Sequence, residues 1–281
     1  MAKKQGEWFR DADFWEQYAP VIFDEAHWAE VQGVADGLIR LADFDLYSEA
    51  NPSQSRRGFG NQSNVIPYSS RSGASNGPRV LDLCCGFGRI SAELARRGCA
   101  VTGVDITKSY LETAKEEAAL DNLDIEYIHA DAREWARPDY FDLAVNLYIS
   151  FGYFDDEKED RTVLRNVYNS LKSGCSFIIE TLGKEIAVRD FLESEWFERA
   201  GWTVLTKYKA VDSWTRLSNR WILINGNKRL EKEFTQRLYA ASELRELMSE
   251  TGFTKVEIFG DWDERPYDQN AQKLIVVGRK K

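Results

Sequence analysis

The run VLDLCCGFGR, Val80 to Arg89, places Asp82, Cys84, Cys85, Gly86 and Gly88 together, and a second acid, Asp105, closes the next apolar run, VTGVD. Gly86 and Gly88 have no Cβ to hold a ligand off, so backbone can approach it closely. Asp82 puts negative charge beside that approach, which repels a pyrophosphate and favours a ligand with an ammonium and a sulfonium. Asp105 can accept bonds from two vicinal ribose hydroxyls. The dinucleotide fingerprint G-x-G-x-x-G would need a third glycine where Ser91 stands, and the Gly-Lys-Ser/Thr of a P-loop is absent. Cys84 and Cys85 are poorly placed to pair with each other. With Cys99 and Cys175 they give neither a disulfide framework nor C-x-x-C spacing, and they read as small buried hydrophobes of a reducing compartment. His27 and His129 lie far apart with no cysteine in ligand spacing, so no metal site is expected.

Short apolar strands alternating with helices must position these acids. RVLDL is followed by helix RISAELARRG, AVTGVD by helix TKSYLETAKEEAALDN with Thr107 as N-cap, and DIEYIHA by a short helical REWA. FDLAVNLY leads to helix DRTVLRNVYNSLKSG and strand CSFIIET. This rhythm predicts a doubly wound α/β fold, a parallel sheet covered on both faces, whose ligand sits at the carboxyl ends of the strands. After about Leu182 the rhythm breaks. WTVLTKYKAV, TRLSNRWILI and KRLEKEFTQRLY read as longer strands of mixed face, with NGNK as a hairpin turn, so antiparallel hairpin strands interrupt the domain as a lid. SELRELMSETG, TKVEIFGD and AQKLIVVGRK complete the core. The expected organisation is a helical cap over 1–47, a mobile loop rich in Ser, Asn, Gly and Pro over 48–78, the α/β core over 79–182 and 241–281, and lid strands over 183–240.

Composition narrows the partners. The 43% hydrophobic content of 281 residues supplies a core, no run is long and apolar enough to span a membrane, and MAKKQGEWFRDADFW lacks an apolar signal region, so a cytoplasmic protein is expected. A net charge of −9 argues against a long nucleic acid partner, since SRRGFG and GRKK are the only dense basic spots and read as solvated loop and tail.

At these residues the chain resembles the class I S-adenosylmethionine-dependent methyltransferases, over about Arg79 to Glu180. LDLCCGFGR resembles the family's first motif, GVDIT its ribose-binding acid, HADARE its adenine-binding loop and FDLAVNLYISFGYF the motif at the end of the fourth strand. The resemblance implies a mostly parallel, seven-stranded, Rossmann-like sheet, with S-adenosylmethionine as cofactor and S-adenosylhomocysteine as product. It implies that Asp82, Cys84, Gly86 and Gly88 line the methionine end, Asp105 and Ile106 the ribose, and Asp131 and Ala132 the adenine. Asn146 and Leu147 would flank the cofactor, and Tyr18 in FWEQYAPVIFD matches a cap tyrosine of the family. One departure is Cys84, which takes the first glycine position of acid-x-Gly-x-Gly-x-Gly; a strand-end conformation with negative φ is expected of it. A helix N-cap is the lesser alternative for Asp131, cap packing an equal one for Tyr18, and His129 reads as a strand-end histidine with its needs met.

Methyl transfer from a sulfonium is an in-line displacement in which alignment and water exclusion do most of the work, so no catalytic residue stands out. The loop NLYISFGYFDD places Tyr148, Ser150, Phe151 and Tyr153 near a small-molecule acceptor, and the absence of Asn/Asp-Pro-Pro-Tyr/Phe speaks against base or amide methylation. Arg237, Tyr239 and Trp221 are lid candidates; alternation puts Arg237 opposite Phe234, facing either the pocket or water. Asp263 and Tyr267 in GDWDERPY lie near the sheet's end, with a surface loop the plainer reading. The reading is transfer to an N or O atom. Its rivals are an NAD-dependent oxidoreductase, for which Asp105 is also well spaced, a non-catalytic cofactor-binding protein of the same fold, and an RNA or protein methyltransferase.

Overall fold

The computed structural model describes residues 7–43 and 77–281. The loop expected over 48–78 falls outside them except for its last two residues. A 3-10 turn at Trp8–Arg10 precedes three helices, α1 (Ala12–Ile22), α2 (Glu25–Ala29) and α3 (Val31–Leu41). The core then alternates: β1 (Arg79–Leu83), α4 (Arg89–Arg96), β2 (Ala100–Asp105), α5 (Lys108–Leu120), β3 (Ile125–His129), β4 (Phe141–Asn146), α6 (Glu157–Ser170), β5 (Leu171–Thr181) and α7 (Lys184–Arg189). Four strands follow, β6 (Ser194–Arg199), β7 (Trp202–Val211), β8 (Arg216–Asn225) and β9 (Lys228–Arg237), and then α8 (Ala241–Thr251), β10 (Phe253–Phe259) and β11 (Leu274–Lys280).

The main sheet has seven strands in the order β10-β11-β5-β4-β1-β2-β3, antiparallel only at β10, β11 and β5. Because successive side chains on a strand point to opposite faces, each strand feeds two cores. Leu81, Leu83, Ala144, Phe177 and Ile179 pack with α6 and α8, while Val80, Val101, Leu143, Val145 and Ile178 pack with α3 and α4. Each fully buried leucine or phenylalanine contributes about 2 kcal/mol by leaving water, which fixes the carboxyl ends of β1, β2, β4 and β5 side by side. Among the described residues no helix is long and apolar enough to cross a membrane.

The inserted strands form their own antiparallel sheet, order β6-β7-β8-β9. It is larger than the expected hairpin, since β6 extends it by pairing Phe197 with Val204 and Trp196 with Leu205. The inner face carries Val204, Leu223 and Phe234 onto Trp8, Phe14 and Tyr18 of the N-terminal segment, and this aromatic layer closes the molecule over the strand ends. One local expectation fails. Arg133–Ala136 contains a turn and no helix, because Asp131 Oδ1 captures the Arg133 N–H at 2.9 Å and its carbonyl the Glu134 N–H. Thr107 occupies the N-cap position of α5, though without a side-chain cap bond; its own N–H is taken by Asp105.

Candidate active site

The loop after β1 is tied to the end of β2. Val104 O accepts from Cys84 N at 2.7 Å and from Cys85 N at 3.1 Å, so the chain reverses across β2 before α4 begins. Asp105 then receives Gly86 N–H on one carboxylate oxygen at 2.8 Å and Thr107 N–H on the other at 2.7 Å. Gly86 and Gly88 have φ of +55° and +69°, conformations that glycine adopts without strain. A Cβ on Gly86 would meet Phe23 at an ordinary 3.4 Å and Tyr110 at 4.0 Å, whereas one on Gly88 would stand 2.2 Å from the Tyr127 hydroxyl. Gly86 is therefore the open floor, and Gly88 is required by packing beneath it.

Cys84 corrects an expectation: its φ is +61° and not negative. The double donation to Val104 demands the left-handed turn, so the cysteine holds the glycine's conformation at a cost of about 1 kcal/mol. Burial pushes both the Cys84 and Cys85 thiols well above the usual range, leaving them neutral and unreactive.

Asp82 is 3% exposed and its carboxylate accepts from Ser91 Oγ at 2.6 Å. Burial, aided by the neighbouring Asp105, lifts it to about 6 against the partial relief from Ser91. Burial also raises Asp105, against the two backbone N–H groups. At the end of β4, Asn146 Nδ2 donates to Leu83 O at 3.0 Å while its Oδ1 is buried without a partner. Beyond Leu147 the chain is strained: Tyr148 and Ile149 have φ of +55° and +61°, a genuine outlier for β-branched isoleucine. Glu180, closing β5, holds this turn by accepting Tyr148 N–H on Oε2 at 2.6 Å and Ile149 N–H on its carbonyl at 3.3 Å. The Tyr148 hydroxyl is buried and unpartnered, and the Arg89 guanidinium lies 4.5 Å over its ring.

These groups open into a cavity of about 800 Å³ under the aromatic layer, near the upper end of small-molecule sites, which run from about 300 to 1,000 Å³. Asp82, Cys84, Gly86, Asp105 and Ile106 line its floor, and Asp131, Ala132, Asn146 and Leu147 also line it. Tyr148, Ser150, Phe151 and Tyr153 line it as well, with Trp221 in the roof, its indole N–H buried without a partner. The Asp131 carboxylate is already engaged by Arg10 and Arg133, each at 2.6 Å; against burial, those partners hold it below the usual carboxylate range.

Four expected residues do not line the cavity. Tyr18 is buried behind the roof, its hydroxyl donating to Trp221 O at 3.2 Å. Gly88 lies beneath the floor. Arg237 points neither into the cavity nor freely to water but toward α6, 3.5 Å from Glu157 and 4.0 Å from Asp160. Tyr239 donates to Asp160 at 2.7 Å and supports Phe151 from behind, ring centres 5.5 Å apart. Tyr267 bonds Glu185, Asp263 pairs loosely with Arg40 and Arg265, and His129 bonds Ile106 O. The sequence reading missed Arg89, Glu180 and His27, all of which line the cavity. For Glu180 a signal existed, an acid ending a buried apolar strand, as in Asp105.

Residues 80–174 match the family model described as a methyltransferase domain. A protein of Geobacillus sp. (strain WCH70), provisionally named a methyltransferase, is 23% identical over 215 residues, 74% of this chain and 87% of its own. Ubiquinone biosynthesis O-methyltransferases match over shorter stretches. That of Neisseria meningitidis serogroup C (strain 053442) is 46% identical over 112 residues, and the chain covers 45% of its length. Among solved structures, an S-adenosylmethionine-dependent methyltransferase from Clostridium acetobutylicum ATCC 824 superposes with TM-score 0.64 at 17% identity, covering 72% of this chain and 83% of that one. The CcbJ methyltransferase from Streptomyces caelestis superposes with TM-score 0.69 at 17% identity, covering 90% and 95%. These are likenesses of fold.

Proposed function

Since the chain carries a methyltransferase domain within a fold shared with S-adenosylmethionine-dependent methyltransferases, we propose that it transfers a methyl group to an N or O atom of a small molecule held under the aromatic roof. One observation carries this reading. Asp105, hydrogen-bonded by Gly86 N–H, and the buried Asp82 lie together at the carboxyl ends of β1 and β2, lining a cavity with room for a nucleoside cofactor and a second molecule. The donor set fits S-adenosylmethionine. Asp105 keeps lone pairs for a vicinal diol, Asp82 is a buried carboxylate that a cation would relieve, Gly86 leaves its backbone open, and Arg89 is a buried cation available to a carboxylate. Asn146 Oδ1 adds an orphaned buried acceptor beside them.

When bound, the cofactor supplies a methyl group made electrophilic by its sulfonium. The chain's residues do the rest. Glu180 fixes the Tyr148–Ile149 turn, so that the wall of the acceptor chamber is set before reaction. Trp8, Phe14, Trp15, Trp221 and Phe234 exclude water above it. The unpartnered Trp221 N–H and Tyr148 hydroxyl give the chamber two polar points that a small acceptor can satisfy. Residues Asp131 and Ala132 are proposed for the adenine end, with Ala132 contributing more because the carboxylate of Asp131 is taken.

Titration calorimetry with S-adenosylmethionine, S-adenosylhomocysteine and NAD tests the cofactor, and turnover against a panel of amines, phenols and amino sugars tests the acceptor. Micromolar binding of the first two is the expected result. Binding of NAD alone would overturn the reading in favour of an oxidoreductase, and cofactor binding without turnover of any acceptor class would favour a non-catalytic binding protein.

A further inference from the structure

His27, on the cavity wall, and Asp24 behind it form a second polar constellation that the cofactor floor does not use. Asp24 Oδ1 accepts the His27 backbone N–H at 3.1 Å and lies 2.5 Å from its Nδ1, while Oδ2 receives Arg199 Nε of β6 at 3.0 Å. Burial raises the Asp24 carboxyl, but the bonds from His27 and the charge of Arg199 outweigh it and keep it below its ordinary value. An ionised carboxylate only accepts, so the contact puts a proton on Nδ1, and in the neutral imidazole Nε2 is then the nitrogen that carries the lone pair. That is the orientation a base receives from its third group.

The position is also specific. His27 O accepts from Arg89 Nη1 at 2.5 Å, Arg89 lies over Tyr148, and Phe23, on the same segment, stands 3.4 Å from where a Cβ on Gly86 would lie. His27 thus stands where the floor loop, the strained turn after β4 and the lid strand β6 converge, and it lines the cavity. The charged groups around it are Asp24, Arg199, Arg89 and Glu30, with Lys273, just before β11, facing Glu30 at 3.8 Å.

We propose that His27 Nε2 is the general base for the methyl acceptor, an inference that rests on the methyltransferase reading. As the acceptor's lone pair bonds to the methyl carbon and the carbon–sulfur pair returns to sulfur, the acceptor's proton passes to Nε2. The imidazolium so formed is held by Asp24, and solvent later takes the proton.

The chain contains two histidines, so nitrogen-15 histidine spectra assigned with His27→Gln read the tautomer directly. The expected result is His27 protonated at Nδ1, acylated at Nε2 by diethyl pyrocarbonate and protected by saturating S-adenosylhomocysteine. With the acceptor that turns over best, His27→Gln should lose about 100- to 10,000-fold in kcat and the acid limb of the pH–rate profile, with S-adenosylhomocysteine affinity within about threefold of wild type. Asp24→Asn keeps the helix cap, for which the two residues serve alike, and should lose the tautomer preference and part of the rate. A proton on Nε2, acylation indifferent to S-adenosylhomocysteine, or turnover unchanged in His27→Gln would each overturn the proposal. Failure of wild type to bind S-adenosylhomocysteine would instead strike at the methyltransferase reading, leaving the tautomer result to be judged by itself.

Discussion

Replacing Asp82 by Asn should make the protein more stable and a poorer binder of its cofactor. Asp82 is buried in the floor, and its carboxyl rises from the ordinary 3.8 to about 6. A group that holds its proton more tightly when folded contributes stability that is fully present below the unfolded value and is lost as pH climbs through the folded one. At about 1.4 kcal/mol per tenfold change in proton affinity, keeping Asp82 ionised at pH 8 costs the fold ~3 kcal/mol. Asn removes that cost while its amide oxygen can still accept from Ser91 Oγ. For a chain of this size the gain corresponds to a midpoint rise of roughly 5–10 °C. It should shrink to about 1 kcal/mol at pH 4.5, where wild-type Asp82 is largely protonated when folded. The same substitution removes the charge proposed to face the cofactor's ammonium, worth about 1.5–3 kcal/mol, so S-adenosylhomocysteine affinity at pH 8 should fall roughly 10- to 100-fold. Urea unfolding at the two pH values and calorimetric titration at pH 8 read all three quantities. A variant that melts at or below wild type at pH 8, or a gap that does not narrow at pH 4.5, would refute the burial argument.

Asp105→Ala removes the acceptor for both Gly86 N–H and Thr107 N–H as well as the proposed ribose contact; with hydrogen bonds to a charged group at about 1.5–3 kcal/mol each, cofactor binding should weaken at least about 100-fold by calorimetry. Gly88→Ala forces a Cβ to 2.2 Å from the Tyr127 hydroxyl at φ +69°, and overpacking added to left-handed strain should cost about 3 kcal/mol in chemical unfolding. Tyr239→Phe strips Asp160 of its 2.7 Å donor. Because burial already lifts Asp160 to about 7, the loss of about 1–3 kcal/mol should be larger at pH 8, where the carboxylate is charged, than at pH 5.

Much of the fold could be read from residue order because its parallel strands are buried on both faces and appear as unbroken apolar runs. Against that background an acid near a strand end stands out, which makes Asp82 and Asp105 legible in the sequence. Elements whose identity depends on distant partners were hidden. Strand β6 carries Glu195, Glu198 and Arg199 and pairs with one neighbour only, so its alternation is too weak to mark it. The turn at Arg133 replaced a helix because Asp131 captures both its N–H and its guanidinium. Arg237 obeys the alternation that sets it against Phe234, yet the period cannot say that α6 waits on that side with Glu157 and Asp160.

The acid signal itself reaches further than it was taken. Asp82 lies in β1, Asp105 ends β2, Glu180 lies near the end of β5, and burial raises all three. Each is held by short local bonds: Ser91 for Asp82, two backbone N–H groups for Asp105, and Tyr148 N–H for Glu180. Those bonds orient the carboxylates without neutralising them, and of the three only Glu180 has a lysine partner, Lys273 at 3.5 Å. A sheet edge that gathers three buried carboxylates in this way is less stable than an apolar one would be. Protonation recovers that stability at low pH; at neutral pH an arriving cation would do so at Asp82, the carboxylate proposed to face the cofactor's positive charge, while Glu180 already has Lys273 beside it.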